Sequence, residues 1–354
     1  MRDTLFKPVR LGALELPNSI VMSAMTRSRA NAADEPSDLH VAYYSQRASA
    51  GMIVTEGAQP SADGKGYCRT PGIYTQGQIA AWARVADAVH ARGAVIVMQI
   101  MHTGRVASML NKPDGSGIVA PSAVPCNAKI FTEQAGFTDM DPARALSLAE
   151  IGEVIGQYRQ AALNARAAGM DGVELHCSSG YLPMQFLSSN TNLREDRYGG
   201  SVENRLRFVL ECLQAMGDAI GMDRVGLRIC PGFDYNDIHD ADPAETYGLL
   251  MEKASDMGLA YLHLVRRSFG DLDNFALVKK HWRGNLILNN ELTADTAAEA
   301  LDQGAAEAIS FGRDFIANPD LVERLDKGQA LSSYNPSLLY TEGPAGFTDY
   351  PRAV

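Results

Sequence analysis

Eight short β-branched runs, each followed by a stretch with helically spaced apolar residues, predict an α/β fold: a single (β/α)8 TIM barrel over residues 1–354. The runs are SIVMS at 19–23, MIVTE at 52–56, AVIVMQI at 94–100, GVELH at 172–176, VGLRI at 225–229, LHLV at 262–265, LIL at 286–288 and AISF at 308–311. Strand followed by helix makes neighbouring strands parallel, and repetition to this number suggests closure. Of the intervening segments, 77–91 places Ile79, Trp82, Val85, Ala88 and Val89 on one face, and 148–168 is rich in Ala, Ile and Leu at helical spacing. The competing open, doubly wound sheet lacks its marks. No G-x-G-x-x-G follows the first strand, and no G-x-x-x-x-G-K-[ST] occurs anywhere.

One connection is too long for a plain loop. Residues 106–146, with NKPDGSG, APSAVP and GFTDMDP, separate the third strand from its helix, and their Gly, Pro, Asn and Asp predict turns with a small hairpin. An insertion after a strand falls on the catalytic face, where it would form a lid over the mouth.

Composition narrows the function classes. With 46% hydrophobic and 21% charged residues the chain reads as globular and long enough to bury a large core unaided. The cysteines, Cys68, Cys126, Cys177, Cys212 and Cys230, are odd in number and lack C-x-x-C spacing, which disfavours a disulfide framework and a structural zinc site and fits a reducing compartment. The N-terminus has no signal-peptide core and no run of about eighteen apolar residues occurs, so a cytoplasmic protein is expected. A net charge of −10 repels nucleic acid and anionic membranes, leaving small molecules as partners of a monomer or homodimer.

In a closed parallel barrel, substrates sit where strands end. The polar or backbone-exposing residues there are Thr26, Gly57 and Ala58, Gln99 and His102, His176, Arg228, Asn290, and Gly312 with Arg313. The ends of strands seven and eight (ILNNELT and SFGRDF) are where barrels commonly hold a phosphate; Gly312 admits close backbone approach and Arg313 supplies a bidentate charge. A turn glycine beside a surface arginine explains the same residues, and Asn289-Asn290 also suits a left-handed turn. Arg228, inside a core strand, needs a standing anionic partner, either an ion pair within the barrel or a negatively charged cofactor ring. Gln99 is similar but can satisfy itself on neighbouring backbone groups.

DGVELHCSSGYL is the densest stretch. His176 ends an apolar strand and Ser179 and Tyr181 follow in a turn, so imidazole and hydroxyl can donate to one oxygen with the phenol placed as proton donor. A strand-end histidine capping the next helix accounts for His176 equally well. Cys177 beside it makes no metal pair, because adjacent strand residues point to opposite faces. DYNDIHDAD at 234–242 lacks the glycine and terminal glutamate of a calcium loop and reads as a loop with helix-capping aspartate. Without G-x-S-x-G or H-E-x-x-H, hydrolase readings have little support.

These residues stand in phrases that resemble the Old Yellow Enzyme family of FMN-dependent ene-reductases nearly end to end: LFKPVRLGALELPNSIVMSAMTRSRA, YYSQRAS, TEGAQ, TPGIYT, MQIMHTGR, APSA, the long GMDGVELHCSSGYLPMQFLSSNTNLREDRYGGSVENRLRF, and FGRDFIANPDL. The resemblance implies non-covalent FMN and NADPH or NADH as reductant. Thr26 would bond the flavin O4, Ala24, Met25 and Ala58 line the ring system, Gln99 hold its pyrimidine edge, and Arg228 balance the charge of the reduced ring. Asn290, Gly312 and Arg313 would take the phosphate. His176 and Ser179 would bind the oxygen of an α,β-unsaturated carbonyl or nitro compound, Tyr181 give the proton, and Met101 and Tyr67 line the substrate pocket. The implied reaction is ping-pong transfer of hydride from nicotinamide through flavin N5 to an activated alkene. The chain departs from the family at Ser179, usually Asn or His, at Met101, often a bulky aromatic, and at Glu291, generally small. A flavin-dependent isomerase or desaturase, and a flavin-free lyase or isomerase acting on a phosphorylated metabolite, are the rival readings.

Overall fold

The computed structural model describes residues 2–353 and closes eight parallel strands into one barrel. In chain order these are β1 (Ile20–Met22), β2 (Met52–Val54), β3 (Val95–Ile100), β4 (Gly172–Cys177), β5 (Val225–Ile229), β6 (Tyr261–Val265), β7 (Leu286–Asn289) and β8 (Ala308–Phe311), with β8 pairing back onto β1. The longer helices between and after them are α1 (Asp38–Gln46), α2 (Gln76–His90), α3 (Leu148–Ala167), α4 (Val202–Ile220), α5 (Pro243–Ser255), α6 (Asn274–His281), α7 (Ala294–Asp302) and α8 (Leu321–Lys327), with short helices at Leu182–Leu187 and Arg313–Ala317. Each run read as a strand is one, and the two expected helices begin and end within a residue of their sequence bounds. Their starts have a local cause. Thr75 with Gln78, and Ser147 with Glu150, form reciprocal capping boxes that satisfy otherwise orphaned N–H groups. Asp242 caps α5 by accepting from the Glu245 N–H at 2.9 Å, the role expected of that acidic loop.

Period-two alternation divides each strand between two cores. Val173 and Leu175 point outward and pack with Trp82 and Val85 of α2, Ile151 of α3 and Phe208 of α4. Inside the barrel the lower layer is apolar: Val21, Met52, Val54, Val97, Tyr261, Ile287 and Ala308 meet Leu11, Leu14 and Leu16. Those leucines belong to an N-terminal hairpin, Val9–Leu11 with Leu14–Leu16, that plugs the barrel floor. Its turn needs Gly12, at φ +59°, because a Cβ there would lie 2.3 Å from the Asp223 carbonyl oxygen.

The insertion after β3 contains the expected hairpin, Lys129–Thr132 with Gly136–Asp139, and a short parallel pair, Val119–Ala120 with Arg144–Ala145. Arg105 ties it to the loop after β5, donating to the carbonyls of Pro125 and Asp237, both at 2.6 Å. At the other end of the chain, Arg27, Arg29 and Arg47 donate to carbonyls between Leu338 and Phe347, and the buried Phe347 ring stacks on Tyr43 at 4.1 Å. Among the described residues no helix is long and apolar enough to cross a membrane.

Candidate active site

Above the apolar floor the barrel interior turns polar, and the strand registers decide which residues meet. Gln99 pairs with Glu174, His176 with Arg228, Arg228 with His263, and Asn289 with Ser310. All point inward by the same alternation. The Gln99 amide donates to Glu174 Oε1 at 2.8 Å, and His263 Nδ1 lies 2.8 Å from Glu174 Oε2. Arg228 donates through one terminal nitrogen to Ser23 Oγ at 2.9 Å and through the other to Asn289 Oδ1 at 3.2 Å, with the His263 ring against it.

Among the described residues no carboxylate lies within 4.0 Å of the Arg228 guanidinium, so an ion pair inside the barrel is not what holds it there. Burial pulls its pKa below the ordinary value, and the charge of Glu174, one residue removed, opposes that pull. Burial also works against the Glu174 anion, but His263, Arg228 and Gln99 together hold the carboxyl well below the usual carboxylate range. His263 itself is lowered by burial and by the adjacent guanidinium, so it serves Glu174 as a neutral hydrogen-bond donor.

His176 stands at the top of β4, buried, its ring edge-on to Tyr181 with centroids 5.0 Å apart. Burial first, then the Arg228 charge, lowers its pKa to about 3, which makes it neutral at pH 7. Its Nδ1 is enclosed without a hydrogen-bond partner among the described residues. An orphaned lone pair costs less than an orphaned N–H, so the proton belongs on Nε2. Tyr181 donates to the Tyr67 hydroxyl at 3.2 Å, and burial raises both phenols well above their ordinary pKa. Met101, Val106 and Tyr181 form a small apolar cluster joined by Tyr67, Cys126 and Met140, so residues of the insertion abut the substrate-facing side chains. Ser179 takes a left-handed conformation, φ 60°, and its carbonyl accepts from the Asn236 amide at 2.8 Å.

Ala24, Met25 and Thr26 remain partly exposed beyond β1. Met25 reaches the end of β8, where a Cβ built on Gly312 would sit 3.6 Å from its sulfur and meet nothing nearer. Gly312 thus leaves its backbone open to close approach, and the exposed Arg313 begins the short helix Arg313–Ala317. Two expected contacts are different in the structure. Ala58 is fully enclosed in the core beneath the helices, and its N–H and C=O are taken by Gln99 and Met101, so it supports the mouth without lining it. The Asn290 side chain donates to the Arg266 carbonyl at 3.0 Å, leaving only its backbone free to face a phosphate. Asn290 and Glu291 both have positive φ, 81° and 58°, a turn geometry that elsewhere favours glycine.

Glu174, His263 and Ser310 are not marked by the sequence motifs, and Asn289 is marked only as a turn residue. The signal was present: each lies at the inward parity of its strand, Glu174 two residues before His176 and Asn289 at the end of β7.

These residues fit FMN. A guanidinium without a paired carboxylate and an amide whose NH2 is already committed present a cation and an acceptor toward the mouth, matching a ring edge that carries carbonyl and imide groups. An open glycine and an exposed arginine lie side by side at the end of β8. Fold and site together define a flavin-dependent oxidoreductase of the barrel type. The chain belongs to the NADH:flavin oxidoreductase / NADH oxidase family, which matches residues 4–332, as its resemblance to the Old Yellow Enzymes implied. It is 36% identical to 12-oxophytodienoate reductase 7 of Oryza sativa subsp. japonica, over 98% of this chain and 94% of that one. With a probable flavin mononucleotide-dependent alkene reductase of Leishmania infantum it shares 38% identity, over 99% and 97% of the two chains. Among solved structures it is similar to morphinone reductase in complex with tetrahydroNAD, with 41% identity and a TM-score of 0.93 over 99% and 98% of the chains. The old yellow enzyme homologue from Zymomonas mobilis is 37% identical, with a TM-score of 0.94 over 98% and 99%.

Proposed function

We propose that this chain reduces activated alkenes, α,β-unsaturated carbonyl or nitro compounds, at the expense of NADPH or NADH, with the two substrates using one pocket in turn. The observation that carries this reading is the convergence of a neutral imidazole donor and a protonated phenol beside Gln99 and Arg228 at one end of the barrel. Thr26, Gln99 and Arg228 would hold the ring of FMN, and Gly312, Arg313 and the backbone at Asn290 its phosphate. When bound, FMN supplies the two-electron carrier that takes hydride from the nicotinamide and passes it to the β-carbon of the alkene.

The protein supplies the rest. His176 Nε2–H, with the Ser179 hydroxyl, polarises the substrate oxygen and stabilises the negative charge that develops on it. Tyr181 donates its proton to the α-carbon, and Tyr67, 3.2 Å away, can turn its own O–H toward the phenolate left behind. Met101 and the insertion keep water from this step. Five free cysteines, four of them buried, suit work in the reducing cytoplasm, as a monomer or homodimer.

Purified protein should show flavin absorption that bleaches on anaerobic addition of NADPH or NADH and returns on addition of a maleimide or cyclic enone, with the saturated product formed in equal amount. Flavin that bleaches but is not reoxidised by any activated alkene would overturn the reductase reading.

A further inference from the structure

The polar layer contains a carboxylate that touches neither the mouth nor any substrate-facing residue. Glu174 and His263 are both fully buried. One Glu174 oxygen takes the Gln99 amide and the other takes His263 Nδ1, each at 2.8 Å. Since Nδ1–H donates its hydrogen bond to the carboxylate, Nε2 of the neutral ring is an acceptor, and the Ser310 hydroxyl at 2.7 Å donates to it. Ser310 also accepts, through its carbonyl, the Asn289 amide at 2.9 Å, and that same amide's oxygen takes Arg228. A continuous chain of hydrogen bonds therefore runs from Gln99 through Glu174, His263 and Ser310 to Asn289 and Arg228.

Two consequences follow from elementary chemistry. An ionised carboxylate only accepts hydrogen bonds. It therefore forces the NH2 of Gln99 to face inward and turns the amide oxygen toward the mouth, whereas a neutral partner would allow either orientation. Glu174 is also the nearest negative charge to Arg228 in this layer, so it partly neutralises the guanidinium as felt at the mouth. We propose that Glu174, acting through Gln99 and through His263, is the positioning residue that fixes the hydrogen-bond polarity of the flavin site and moderates the positive charge Arg228 presents to the reduced ring. This rests on the reading of the chain as an FMN enzyme.

Glu174→Gln preserves size and removes the charge. The Gln99 amide then loses its enforced orientation, and Arg228 acts with its full charge. FMN release from the diluted holoenzyme, followed by recovery of flavin fluorescence, should report affinity weakened about tenfold, the worth of one charge-assisted hydrogen bond. The reduction potential of the retained flavin, measured by equilibration with a reference dye, should rise, because an unmoderated cation favours the reduced anion. Glu174→Asp keeps the charge and shortens the reach, so it should weaken FMN while leaving the potential near that of the parent. Loose packing alone predicts weakened binding in both variants without a rise in potential, and that pattern overturns the proposal. So does unchanged FMN affinity in Glu174→Asp, which decides the matter if Glu174→Gln does not fold. Parent protein that binds no FMN would instead refute the functional reading, a different outcome from variants that bind it like the parent.

Discussion

Acid exposes the neutrality of His176 in a way that can be quantified. Its folded pKa of about 3 lies below the ordinary 6.5, chiefly from burial and then from the Arg228 charge. A histidine depressed in the folded state contributes stability above its unfolded pKa, and that stability is lost as pH falls from 6.5 toward 3, because only the unfolded chain takes up the proton. The whole shift corresponds to about 5 kcal/mol, and the part lost by pH 5 to about 2 kcal/mol. His102 carries a similar depression, also from burial, and its Nδ1 accepts the Gly104 N–H at 3.1 Å, so the parent should lose stability through both. Replacing His176 by Asn, which cannot titrate, isolates one share. Between pH 7.5 and pH 5, equilibrium urea unfolding should show the parent losing about 2 kcal/mol more than His176→Asn. Selective nitrogen labelling of the seven histidines gives a direct check, with His176 remaining neutral at pH 5. Equal acid losses in the two proteins, or a His176 ring that titrates near its ordinary value, would refute the assignment. The same neutrality means that alkene reduction should show no inflection from His176 between about pH 5 and 9.

Tyr181→Phe should leave flavin reduction by nicotinamide almost intact and slow reoxidation by an enone about a hundredfold or more, as rapid mixing of each half-reaction would show; equal slowing of both would make Tyr181 a pocket wall instead. Ser179 sits at φ 60°, where asparagine is better tolerated than serine, so Ser179→Asn should fold without loss while extending a donor toward the substrate oxygen. It should tighten phenol binding severalfold, within the roughly 2–4 kcal/mol worth of one oxyanion donor, and favour a cyclic enone over a maleimide; unchanged phenol affinity and unchanged substrate ratio would place Ser179 outside the pocket.

Sequence by itself determined the barrel, because eight β-branched runs alternating with amphipathic stretches leave each element one apolar face to bury, and closure is the arrangement that buries them all. It also singled out His176, Gln99 and Arg228, since a polar side chain near the end of an apolar strand stands out against its neighbours, and Tyr181 in the turn that follows β4. The N-terminal hairpin plug is not legible in sequence, because LGALEL is short and its leucines gain meaning only against Val21, Val97 and Ile287 from distant strands. The clamp of Arg27, Arg29 and Arg47 on the C-terminal segment likewise uses backbone carbonyls, which carry no residue signature. Whether Arg228 answers to a carboxylate or to a ligand was open in sequence, where both leave the same arginine in the same strand. Strand register sets Arg228 beside His263 and places Glu174 against Gln99, which leaves the guanidinium without a paired carboxylate. Alternation says which side chains turn inward; only the relative slide of eight strands says which of them meet.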